Sequence, residues 1–88
     1  MKTYFAISSD MKWVQFGSYQ RCFSLALEFS GANLDRSVCI GQMRPAEERA
    51  WLLFEVSSAG FIGIEPPKFL SAKALRRAHR AVRGKSCE

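Results

Sequence analysis

Apolar and polar residues fall along this chain in short blocks, and the blocks set the expected elements. Residues 2–8 are rich in β-formers (Tyr4, Phe5, Ile7) and read as a strand. Residues 12–17, with Trp13, Val14 and Phe16, read as a second strand, and the polar break at Ser9, Asp10 and Met11 makes the pair a β-hairpin. Over residues 19–30 both periods fit: Tyr19, Cys22, Phe23, Ala26 and Leu27 recur at helical spacing, while Phe23, Leu25, Leu27 and Phe29 alternate. Ser18 at one end and Gly31 at the other suit helix caps and favour the helix. Residues 36–42 read as a third strand. Pro45, followed by Glu47 and Glu48, has the character of a helix start, which predicts a helix through Trp51, Leu53 and Phe54 to near Gly60. Residues 61–65 read as a short strand broken by Pro66 and Pro67. A last helix is expected from near Ser71 to near Gly84, followed by a frayed tail at 85–88. The expected order is ββαβαβα. It describes an α+β fold with a small antiparallel sheet of three or four strands flanked by about three helices, in a single domain spanning 1–88.

The final helix changes the picture most. Net charge is +5, and it is unevenly distributed. Lys68, Lys73, Arg76, Arg77, Arg80, Arg83 and Lys85 face only Glu88 in the last segment, while the first 67 residues are close to neutral. On a helical wheel Leu75, Ala78 and Val82 share one side, and Lys73, Arg76, Arg77, Arg80 and Arg83 share the other. Such a cluster repels itself until an anion meets it, so DNA, RNA or an acidic protein surface is the expected partner. Phosphate contact by these side chains gives affinity without reading sequence. His79 borders the apolar side and reads as a packed or solvated helix residue.

Other classes recede. The apolar fraction of 48% argues against general disorder. The longest apolar runs, such as residues 50–54, fall far short of the roughly 20 residues that span a bilayer. The N-terminal run is too brief for a secretory signal, and the expected location is the cytoplasm, with no membrane partner. Cys22, Cys39 and Cys87 are odd in number and contain no C-x-x-C pair, so neither a disulfide framework nor a zinc site is expected. Gly60 and Gly63 are isolated, which leaves no glycine-rich phosphate loop.

The hairpin with Tyr4 and Phe5, then Val14, Gln15, Phe16 and Gly17, followed by a helix, resembles the GIY-YIG nuclease domain, in its short bacterial and phage versions. Residues 46–54 look like that family's acidic helix, and Gly63, Ile64 and Glu65 with Phe69 are similar to its later segment. The resemblance covers about residues 3–75. It implies a divalent-metal-dependent endonuclease, with Tyr4 at the first tyrosine position and Glu47 or Glu48 as the magnesium-holding glutamate. Gln15 stands at the second tyrosine position, Leu25 where the family places an arginine, with Arg21 one turn earlier, and Trp51 at the usual histidine. The constellation is that of a degenerate member, and the expected catalytic candidates are Tyr4, Arg21, Glu47 and Glu48. Without the nuclease reading no metal or cofactor is expected. Three readings therefore stand: a nucleic-acid or phosphate-backbone-binding module using the basic helix; an active nuclease; and a small phage-type interaction protein that inhibits a host protein or nucleoprotein complex. The last would dock through Met11, Trp13 and Phe16 on the hairpin.

Overall fold

Alternating side chains on five antiparallel strands build a sheet with a helix on each face. In the computed structural model, which describes residues 3–86 apart from the side chains at 45, 66, 67 and 83–86, the strands are β1 (Tyr4–Ser8), β2 (Val14–Gly17), β3 (Val38–Arg44), β4 (Arg49–Ser57) and β5 (Gly60–Ser71). The helices are α1 (Tyr19–Ala32) and α2 (Ala72–Ser86). The sheet order is β2-β1-β3-β4-β5, with every pair antiparallel. Cys87 and Glu88 of the expected tail, and Lys2 of the first expected strand, lie outside the described residues. The rest of that tail, Lys85 and Ser86, continues α2.

Each central strand is buried on both sides, one residue to each face in turn. Ala6, Val38, Ile40 and Val56 meet Cys22 and Ala26 of α1, with Tyr4, Trp13, Phe23 and Phe29 packed around them. Phe5, Ile7, Val14 and Ala50 meet Leu75 of α2, with Phe16, Met43, Leu70, Ala78 and Val82 around them. Gly41 permits one close approach in the second layer. A Cβ there would collide with the ring of Phe5 and the carbonyl oxygen of Trp51. The α1 helix begins as its sequence indicates, the Ser18 hydroxyl accepting from the Arg21 N–H at 3.2 Å, but it does not end at Gly31 as expected: Gly31 lies within the last turn, and Asn33 closes the helix by donating to the Phe29 carbonyl.

The α+β class and the antiparallel sheet agree with expectation, but the element counts do not. Among the described residues there are five strands and two helices, in the order ββαβββα with a short 3₁₀ turn before β4. The helix expected from Pro45 to near Gly60 is replaced by that turn, Pro45–Glu47, and by β4. Glu48 adopts a left-handed φ of 55°, which ends the turn and swings the chain into the sheet. The unbroken apolar run at 50–54 then divides between the two helix-covered faces, which is why it shows no clean alternation. Nor do Pro66 and Pro67 end the next strand. The β4–β5 ladder passes from Leu52 opposite Lys68 directly to Phe54 opposite Gly63, so the prolines occupy a bulge where no ladder N–H is required.

Candidate nucleic-acid interface

The α2 helix carries the densest charge. Ser71 caps it, its hydroxyl accepting from the Ala74 N–H at 3.0 Å, and the Ala72 N–H donates to the Glu48 carbonyl at 3.0 Å. Leu75 is fully buried against the sheet, while Ala78 and Val82 flank it. His79 lies half-buried with its ring edge-on to Phe16, centroids 4.7 Å apart, so it belongs to the packing of the helix on β2. Lys73, Arg76, Arg77 and Arg80 are all exposed on the outer side. Arg83 follows them along the helix, but its side chain lies outside the described residues. Among the described residues, ion pairs join Arg36 to Asp10 at 3.5 Å and Arg44 to Glu47 at 3.4 Å; neither involves α2. A shallow cleft at the helix start is lined by Glu48, Ser71, Ala72, Lys73 and Arg76.

The four candidates drawn from the nuclease resemblance fall in two pairs, Tyr4 and Arg21 beside Gly17 and Glu47 and Glu48 at the turn before β4. Tyr4 lies on β1, half-buried, in edge contact with Tyr19 at 5.4 Å. Arg21 sits in the first turn of α1, with its aliphatic stem over Gly17. Glu47 lies two strands away from Tyr4, in the turn before β4. Its two carboxylate oxygens accept from Arg44 and from the Trp51 indole N–H, each at 3.4 Å. Glu48 is exposed at the left-handed corner. No group of three or more His, Cys, Asp or Glu gathers among the described residues, so Glu47 stands without a second carboxylate or imidazole gathered into a cluster around it.

The hairpin residues also part company. Trp13 packs on the α1 side, stacked on Phe29 at 4.7 Å, while Phe16 packs on the α2 side. Met11, at a left-handed φ of 61°, is exposed at the turn between them. Met11, Trp13 and Phe16 therefore do not make one docking face. Burial lifts the thiols of Cys22 and Cys39 above their ordinary range, with Glu55 adding to the effect at Cys39, so neither is poised as a nucleophile. No helix among the described residues is long and apolar enough to cross a membrane.

Sequence reasoning missed a second surface, where arginines lie over aromatic rings. On the α1 side of the sheet, Gln42, Trp51 and Phe69 are cross-strand neighbours on β3, β4 and β5. The Trp51 and Phe69 rings lie 5.3 Å apart, tilted by 55°. The Arg49 guanidinium sits over Phe69 at 4.4 Å, and that of Arg44 over Trp51 at 5.8 Å. Arg49 and Trp51, two apart, share a face only in a strand. The expected helix hid that signal. No family model, no curated protein and no solved structure matches this chain.

Proposed function

We propose that the protein is a nucleic-acid-binding module that lays the outer face of α2 along a phosphate backbone. The observation that carries this reading is the exposure of Lys73, Arg76, Arg77 and Arg80 on one helix face, none of them in an ion pair among the described residues. A self-repelling row of this kind gains most from a partner with regularly spaced negative charge. Arginine adds bidentate contact to phosphate oxygens. The apolar underside, anchored by Leu75, holds the helix that carries the row, so its backbone need not be ordered on binding. Backbone contact of this kind supplies affinity and position without selecting a sequence.

Fluorescence anisotropy with a labelled duplex tests the reading. With four phosphates neutralised, the logarithm of affinity should fall against the logarithm of salt with a slope of roughly −3 to −4. The double variant Arg76→Glu/Arg80→Glu should abolish most of the binding and flatten the slope. Affinity that is indifferent to salt, or unchanged in the double variant, would rule the reading out. Incubating plasmid with magnesium or manganese separates binding from cutting. Nicking that disappears in Glu47→Ala would instead make the protein a nuclease.

A further inference from the structure

We infer that the arginine-flanked Trp51–Phe69 surface is a stacking platform for the unpaired bases of a single-stranded nucleic acid. The platform lies on the α1 face of the sheet, so it goes beyond the helix-face reading. Its parts match what single-strand recognition needs. Every nucleobase has a flat π-face and stacks on aromatic side chains and guanidinium planes without regard to sequence. Phe69 keeps 49% of its surface exposed beside Trp51, and the Arg49 guanidinium over its ring offers a base a second flat surface to stack on. The indole N–H of Trp51 donates to Glu47, which also accepts from Arg44, and both contacts favour the observed orientation of the Trp51 ring. Arg44 takes the Glu47 carboxylate, whereas Arg49 has no ion pair among the described residues. Arg49 therefore offers its charge to a phosphate beside the stacked base.

Glu47 and Glu48 offset Arg44 and Arg49 at the platform itself, and the charge that draws an anionic strand comes from the neighbouring row on α2. Arg49 is the cross-strand neighbour of Ser71, the cap of α2, so Lys73 and Arg76 follow directly around the edge of the sheet. A flexible strand with bases on Trp51 and Phe69 can carry its phosphates past Arg49 toward those side chains. A stiff duplex cannot present its base faces to the platform, because they are stacked within the helix.

Tryptophan emission provides the test. The chain has two tryptophans, so Trp13→Phe leaves Trp51 as the only reporter. Titration with oligo-dT and with oligo-U should quench Trp51, and the stronger of the two assigns DNA or RNA as the ligand. A duplex of equal charge should leave the emission unchanged. Phe69→Ser and, separately, Arg49→Gln should weaken single-strand binding by about tenfold, within the range of one lost base stack, and leave duplex affinity as it was. Circular dichroism checks that each variant folds, and Arg49→Gln, at an exposed position, keeps the test open if Phe69→Ser does not. Arg76→Glu/Arg80→Glu should remove duplex binding yet retain the low-salt quench, which separates failure of the helix face from failure of the platform. Absence of quenching by both strands, or wild-type single-strand affinity in a folded Arg49→Gln and Phe69→Ser, overturns the inference and leaves the face to a protein partner.

Discussion

At Gly41 the ring of Phe5 lies across β3 in the space any other residue would give to its Cβ, with the Trp51 carbonyl oxygen on the same side. Backbone cannot retreat as a flexible side chain can. Gly41→Ala should therefore lower stability by roughly 3 kcal/mol, the upper end for overpacking, measurable as a drop in the urea midpoint. Asp10 works through charge instead. Its carboxylate accepts from the Ser8 hydroxyl at 2.6 Å and the Lys12 N–H at 3.1 Å, and it pairs with Arg36. The Ser8 hydrogen bond first, then the Lys12 N–H, holds its acidity below the ordinary 3.8. A carboxyl depressed in the folded state stabilises it above the unfolded value, and that contribution is lost as pH falls through the folded one. Asp10→Asn should thus be less stable than the parent at pH 7. The gap should narrow as pH drops below 3.8 and then close, as paired urea titrations at several pH values will show. If the gap is unchanged at low pH, the contacts of Asp10 do not depend on its charge.

Among the elements, α2 carries its own registration signal. Leu75, Ala78 and Val82 fix which side faces the sheet, and the cations are left outward by default. Leu75→Ala removes a fully buried side chain and should cost about 3 kcal/mol. Under conditions where the variant remains folded, duplex affinity should be close to that of the parent, because no cation is lost. A large loss of affinity in a folded Leu75→Ala would mean that the cations need the exact seating of the helix. Elements of this type were legible from sequence: α1 through its Ser18 cap, though not its end past Gly31, α2 through its two-sided wheel, and the first hairpin through its polar break. The β4 strand was not. Pro45, Glu47 and Glu48 carry the marks of a helix start, and a five-residue apolar run has no period when both faces of a strand are covered. The left-handed turn at Glu48 decides the matter, and glutamate gives no warning of it. The Trp51–Phe69 platform was hidden for a related reason, since it exists only through a strand pairing between distant parts of the chain.

For the molecule as a whole, the central sheet shares its burial between two helix layers, so neither layer's core closes without the strands between them. Cys22 reports this directly, being wholly enclosed between α1 and the sheet, with its thiol pushed up by burial. In a Cys39→Ser/Cys87→Ser background, a thiol reagent should label Cys22 only through global opening. Its rate should then fall with added stability in step with the unfolding equilibrium. Fast labelling in the native state would show that α1 detaches by itself. The two ends of the sheet have a different consequence. The β2 strand offers a free margin of only four residues, and β5 is interrupted midway by a bulge holding two residues that have no N–H to give. Another copy growing alongside either margin would meet a ladder too short or broken. Copies crowded together at high concentration can therefore stay apart instead of fusing strand to strand into an insoluble ribbon.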